Sequence, residues 1–344
     1  MVEGTGLKER FCLSMHAFRE RRPFMIRAIA ALLTAALSLL APMSASAEAW
    51  PTKPVRIVVA YPPGGATDLQ ARLAAAKLTE RWGVTVIVDN KPGANTVIAT
   101  DAVAKAEPDG LTVLLTAMPF ALNPMLIEKL PYDTAKDLVP VTLMATIPNV
   151  LVVYPGLPVN SLDDLIALAR EKPDSISFAS TGQATSTHLS GELFAKMAGV
   201  KLNHIPYKGS APAHLDLIAG RVSMMFDNGA LQHVRAGKLK AIAVTSAKRV
   251  PWLPDTPTMM EEGLAGYEAA AWYGVFAPGG TPAGIVRKLA EDITWAIRSP
   301  DTVERLTTAG AIAGGGTPEE FAKFLAGETE KWGQLIKDLG LKPK

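Results

Sequence analysis

The chain has 344 residues, 35 Lys and Arg against 33 Asp and Glu, and a single cysteine, Cys12. Residues 1–47 hold six of the basic residues and three of the acidic ones, which leaves 29 and 30 for the remainder and a net charge near −1. A body so close to neutral lacks the basic stripe that a nucleic-acid partner requires, and with Cys12 outside it the body has neither disulfides nor thiolate chemistry.

Arg19, Arg21, Arg22 and Arg27 precede an apolar run from Ala28 to Leu40, and Ala45-Ser46-Ala47 has the small-x-small pattern of a signal-peptidase site. Residues 1–47 therefore read as a signal peptide cleaved after about Ala47. Met25 heads an ordinary signal peptide by itself, so residues 1–24 also read as an over-extended start. The apolar run is shorter than the ~20 residues that span a bilayer, and no cysteine follows the cleavage point to carry a lipid. An exported, soluble body is expected, long enough for two α/β domains with cores of their own.

Strand-like runs then alternate with amphipathic stretches: Val55–Ala60, Leu69–Arg81, Val84–Val88, Thr96–Ala106 and Thr112–Leu115. This βαβαβ rhythm predicts a parallel sheet covered by helices on both faces, with ligands at the carboxyl ends of its strands. The extended run Pro140–Pro155 is expected of a strand leaving one domain for another, and Ser161-Leu-Asp-Asp164 offers a capping-box start for a second α/β series. That series has strands at Ile176–Ala179, Leu202–Ile205, Val222–Phe226 and Ala241–Thr245, and Ala271–Pro278 carries the chain back. Thr281-Pro282, Ser299-Pro300 and Thr317-Pro318 each read as a hydroxyl N-cap followed by proline, opening three closing helices that pack on domain one.

Two loops carry chemistry. Tyr61-Pro-Pro-Gly64-Gly65-Ala66-Thr67-Asp68 joins the first strand to the first helix. Amides at a helix start lack intrahelical partners and carry the positive end of the dipole, so this turn can seat a carboxylate without Arg or Lys. The second, Ser180-Thr181-Gly182-Gln183-Ala184-Thr185-Ser186 running on to His188, is again a strand, a small-residue loop and a helix start. Two domains, two extended crossings and a helix start offered from each side form the layout of a hinged solute trap.

The residues also carry a family resemblance. The Tyr61–Asp68 loop, Asn90-Lys-Pro-Gly93, Leu130-Pro-Tyr-Asp133 and His204-Ile-Pro-Tyr-Lys-Gly-Ser-Ala-Pro212 resemble the Bug family, the periplasmic substrate-binding proteins of tripartite tricarboxylate transporters. So do Met225-Phe-Asp-Asn228, Arg235-Ala-Gly-Lys-Leu239, Leu253-Pro-Asp-Thr-Pro257 and Ala271-Trp-Tyr-Gly274, in order over nearly all of residues 50–344. The resemblance implies an α/β, two-domain periplasmic-binding-protein fold (Venus-flytrap, type II-like) with two crossover strands. Domain 1 is expected at 48–149 plus 276–344 and domain 2 at 150–275. It further implies a monomeric periplasmic protein, without cofactor or metal, that captures a small organic carboxylate between the domains for delivery to membrane permease subunits. The Tyr61–Asp68 and Ser180–His188 loops are expected to pinch the ligand through backbone amides and ordered water. Asn123, Tyr207, Lys208 and Asp227 match further cleft positions.

The chain departs from the family where the second loop often reads Gly-x-Gly-Ser/Thr and here reads Gly182-Gln183-Ala184-Thr185. Ala184 restricts positive φ, so the loop is expected to curl differently or not to need that conformation; Gln183 adds a side-chain amide within reach of a ligand. Met118, Pro119 and Phe120 make the loop after the third strand apolar, which suits an aromatic or alkyl body tipped by a carboxylate better than citrate.

Each residue has a structural account beside the functional one. Gly64 and Gly65 fit a plain turn, Asp68 a helix-stabilising first turn, and Thr185, Ser186 and His188 a helix cap. Lys208 fits a solvated surface, Asp227 a bond to neighbouring loop amides, and Tyr61 and Tyr207 packing beside proline. No Gly-x-Ser-x-Gly elbow, zinc-spaced cluster, phosphate-loop Lys or dinucleotide fingerprint appears, so no enzyme is expected. A sensor that presents its bound carboxylate to a signalling receptor uses the same trap and stays open as the alternative.

Overall fold

The computed structural model describes residues 50–341; the expected signal peptide and its cleavage point lie outside them. β1 (Val55–Val59) is buried at every position but Arg56, as a strand covered on both faces must be. It pairs in parallel with β2 (Val86–Asn90) and β3 (Thr112–Ala117). The long β10 (Ala270–Pro278) runs antiparallel beside β3, β4 (Leu138–Pro148) runs antiparallel beside β10, and the short β11 (Ile312–Ala313) closes the edge. The order is β11-β4-β10-β3-β1-β2.

A second sheet, ordered β7-β6-β8-β5-β9, is built from β5 (Val150–Val153), β6 (Ser177–Ser180), β7 (Asn203–Pro206), β8 (Met224–Asp227) and β9 (Lys240–Val244). β6 is parallel to both β7 and β8, whereas β5 is antiparallel to β8 and β9. Both sheets are therefore mixed, which corrects the all-parallel expectation. Of the strands that break the rule, β5 and β10 are those that carry the chain from one sheet to the other and arrive without a crossover helix. One residue, Asn149, separates β4 in the first sheet from β5 in the second.

That junction is stapled. The Asn149 amide donates to Thr245 Oγ1 at 2.8 Å, and the Thr245 hydroxyl faces the carbonyls of Asn149 and Ala269, so both crossings meet at one side chain. A buried apolar cluster continues across the junction from Val58, Leu114 and Phe120 through Trp272 and Tyr267 to Phe178 and Phe226.

The helices are α1 (Ala66–Trp82), α2 (Val97–Ala104), α3 (Pro119–Leu126), α4 (Leu162–Glu171), α5 (Ser186–Ala198), α6 (Ser210–Ile218), α7 (Leu231–Arg235), α8 (Ala283–Arg298), α9 (Pro300–Thr308) and α10 (Pro318–Asp338). Ser161 closes the expected capping box with Asp164 at the start of α4, and Thr317 does so with Glu320 at α10. The other two closing helices differ from expectation: α8 begins one residue later, at Ala283, and the Ser299 hydroxyl points back to the Ala296 carbonyl instead of capping α9. Among the described residues no helix is long and apolar enough to cross a membrane.

Candidate functional site

β1 ends at Val59 and α1 begins at Ala66, so the first loop rides at the carboxyl end of a central strand. Gly64 has φ +84, where L residues are strained, while the N-cap Gly65 is extended, with φ −83 and ψ 176. A Cβ built on Gly65 meets only the Pro62 carbonyl, at 3.7 Å, so backbone approach from the open side is unobstructed. No side chain caps α1. The amides of Ala66 and Thr67 consequently have no partner inside the helix and stand at the positive end of its dipole.

These residues border a cavity of about 600 Å³ between the lobes. From the first loop it is lined by Tyr61, Pro62, Pro63, Gly64, Gly65, Ala66 and Thr67; from the second helix start by Thr185 and Ser186; from the strand ends by Ala117, Met118, Pro119, Ala271 and Tyr273; and by Asn95. No Lys, Arg, Asp, Glu or His is among them. Removal from water pushes the Tyr273 phenol up to about 12, and burial together with Tyr273 pushes the Tyr61 phenol up further, so both stay neutral donors. A larger cavity of about 810 Å³ lies against α8 and the starts of α9 and α10. It belongs to one lobe and its rim carries ion-paired charge such as Lys77–Asp301 at 2.8 Å, so the cleft is the better ligand site.

Seven of the eighteen sequence-predicted positions thus line one cavity, and the other eleven are not part of its lining. Asp68 sits under the first loop: its carboxylate accepts from the Gly64 amide at 2.9 Å, Arg72 Nε at 2.9 Å and Asn90 Nδ2 at 3.0 Å. The Arg72 bond above all, then those from Gly64 and Asn90, outweighs burial and holds its carboxyl down at about 2. Asp68 therefore folds the anion loop onto itself, and Arg72 offsets its charge.

The second loop is held by its own side chains. The Thr185 hydroxyl accepts from the His188 amide and donates to the Gly182 carbonyl at 2.7 Å, the Thr181 amide donates to Thr187 Oγ1 at 2.8 Å, and the Gly182 amide to Ser180 Oγ at 3.2 Å. The Ala184 amide donates to His188 Nδ1 at 3.1 Å, which commits the ring proton to Nε2, 3.4 Å from Glu192. The two helix starts are unequal as a result: the first has no side-chain cap, and the second is capped by Thr185, the structural account given for that residue. Ala184 has φ +57, so the loop keeps the left-handed turn despite its alanine, contrary to expectation. Gln183 is exposed.

Tyr207 donates to Asp216 at 2.9 Å, Lys208 is exposed, and Asp227 is buried against His214 Nε2 at 2.6 Å. Asn123, wholly buried, bonds Asn95 and Thr96. Sequence reasoning missed Asn95, Ala117, Ala271 and Tyr273 as lining residues, and missed His204, whose ring packs on His188 at 4.0 Å between centroids. Tyr273 was within reach, since it follows Trp272 in a recognised motif near the start of a crossing strand, and so was His204, which opens another; Asn95 carried no local signal.

A model of the family described as Tripartite tricarboxylate transporter family receptor matches residues 70–341. The chain is 44% identical over 292 residues to the UPF0065 protein in the tcbD-tcbE intergenic region of Pseudomonas sp. (strain P51), a match covering 84% of this chain and 87% of that protein. To Protein BugT of Bordetella pertussis (strain Tohama I) it is 38% identical over 321 residues, 92% of this chain and 98% of that one. Among solved structures it is similar to R. palustris Rpa4515 with adipate, with 38% identity, a TM-score of 0.72, and coverage of 86% of this chain and 100% of the other. The two-sheet α/β architecture expected from the Bug resemblance is the one shared with that structure.

Proposed function

The chain belongs to the tripartite tricarboxylate transporter receptor family, and from that premise we propose that it is a periplasmic binding protein that takes a small organic carboxylate into the cleft and presents it to membrane permease subunits. The observation that carries this reading is the uncapped start of α1 at Gly65, Ala66 and Thr67, opening into a cleft with no charged side chain on its wall. Backbone dipoles alone offer about half a charge. That partial charge can offset part of one carboxylate, so mono- and dicarboxylates suit it better than a tricarboxylate, which brings more negative charge than the wall can offset. Met118, Pro119, Ala117 and Ala271 beside the two neutral phenols favour an alkyl or aromatic ligand body. The adipate held by the R. palustris relative is a dicarboxylate whose body is alkyl, in keeping with the apolar wall.

Capture begins on the first loop, which needs no rearrangement to present its amides. Closure about Asn149 and the Thr245–Ala269 contact then brings the second lobe over the ligand. Only a difference in affinity between open and closed forms moves that equilibrium, so the ligand has to touch both Ala66 and Ser186 to drive it. We take 48–149 with 276–344 and 150–275 as the two hinged bodies, with residues 1–47 removed on export, and the trap working as a monomer.

A thermal-shift panel on the mature protein tests the reading, because a ligand selective for the native state raises apparent stability. Alkyl and aromatic mono- and dicarboxylates are expected to raise the Tm, and citrate is not. A larger shift with citrate, or no shift across the panel, overturns it.

A further inference from the structure

The third edge of the cleft is a short segment in an unusual conformation. Gly93, Ala94, Asn95 and Thr96 have φ of +126, +45, +51 and +77, four consecutive positive values of which only one falls on glycine. Each L residue there carries strain, and such clusters persist only where the surroundings over-determine them. The surroundings are Asn123, wholly buried on α3: its Nδ2 donates to the Asn95 carbonyl at 2.8 Å and approaches Thr96 Oγ1 at 3.3 Å, while its Oδ1 accepts from Asn95 Nδ2 at 2.7 Å. Thr100 Oγ1 holds the Thr96 carbonyl at 2.9 Å and the Thr96 amide closes on the Gly93 carbonyl at 3.1 Å.

This network also settles which way the Asn95 amide points. A backbone carbonyl only accepts, so the Asn123 atom beside the Asn95 carbonyl is its nitrogen and the atom left for the Asn95 side chain is its oxygen. Asn95 must then turn its own nitrogen inward. Its carboxamide oxygen, with the second N–H beside it, becomes the free end of a residue that lines the cavity.

We propose that Asn95 is a specificity-determining residue of the cleft, selecting carboxylates whose body bears a hydroxyl over the same carboxylates without one. A hydroxyl donates to the amide oxygen and accepts from the remaining N–H, so it alone satisfies both ends. A second carboxylate meets the oxygen lone pairs, and a bare methylene leaves the carboxamide to water. Asn123 is the positioning residue that aims it. This inference rests on the carboxylate reading above and adds the chemistry of the ligand's other end.

Titration calorimetry with matched pairs, succinate against malate and phenylacetate against mandelate, tests it on the mature protein. For a pair that binds, the hydroxylated member is expected to bind about fivefold tighter, the worth of one net hydrogen bond. Asn95→Gly, which suits the positive φ and removes the carboxamide, is expected to bring that ratio to about one. A purely structural role for Asn95 would weaken both members alike and leave the ratio unchanged. No preference in the wild type, or a preference that survives Asn95→Gly, overturns the assignment while leaving the carboxylate reading intact; heat from neither member of either pair, together with no shift across the wider carboxylate panel, overturns both.

Discussion

Asn95 and Asn123 are bonded reciprocally, each side chain reaching the other residue: Asn95 Nδ2 to Asn123 Oδ1 at 2.7 Å and Asn123 Nδ2 to the Asn95 carbonyl at 2.8 Å. The pair joins a strained surface loop to a buried helix and turns local strain into a fixed edge of the cleft. Asn123→Ala removes three bonds from a fully buried site and releases the positive-φ run. Stability is expected to fall by about 2 kcal/mol in denaturant titration, with ligand affinity falling too. An unchanged midpoint would show that the left-handed run holds without its clamp.

Gly65→Val separates binding from folding. Its extended φ of −83 accepts a branched residue and the nearest atom to a new Cβ is 3.7 Å away, so the fold should survive with a loss of about 1 kcal/mol or less. The branched side chain blocks approach to the Ala66 and Thr67 amides, and carboxylate affinity is expected to drop more than about tenfold, over 1.4 kcal/mol. Lys208→Ala, an exposed position outside the cavity lining, should change affinity less; the reverse order by calorimetry would put side-chain charge ahead of the helix start.

Ala184→Gly is expected to stabilise the protein. With φ at +57, the alanine pays a left-handed penalty that glycine avoids, partly offset by glycine's greater freedom in the unfolded chain. A gain of about 0.5–1 kcal/mol at unchanged m-value is the expected outcome. A loss would mean that the bond from the Ala184 amide to His188 depends on the methyl group.

Asp68 gives a pH signature. Its carboxyl is held at about 2, below the ordinary 3.8, by the bond from Arg72 and those from Gly64 and Asn90. The unfolded chain therefore takes up the proton more readily. The stabilisation is complete above about pH 4 and is lost as pH falls towards 2, amounting to at most about 2 kcal/mol. The difference in unfolding free energy between wild type and Asp68→Asn is expected to be flat from pH 5 to 7 and to shrink between pH 4 and 2. A difference independent of pH would show that the carboxylate's charge does not contribute.

The sequence by itself determined the features that short stretches encode. A strand running into glycines and then a helix is a local statement, so the turn at Tyr61–Asp68, the capping-box start at Ser161, the N-cap at Thr317 and the extended character of Pro140–Pro155 were legible from order and spacing. Motifs in sequence carried the family and with it the two-lobed fold. Tertiary structure decided what depends on partners far apart in the chain. Asn95 enters the cleft because Asn123, 28 positions on, is buried behind it. Within the second loop the choice was local but left open by the sequence, and the structure makes it: Thr185 caps the helix start and His188 holds the amide of the left-handed Ala184. β5 and β10 run against their neighbours because the chain must pass from one sheet to the other and return. Hydrogen-bond valence across these long separations, with each buried polar group requiring a partner, selects one side-chain orientation from several that local preference leaves equal.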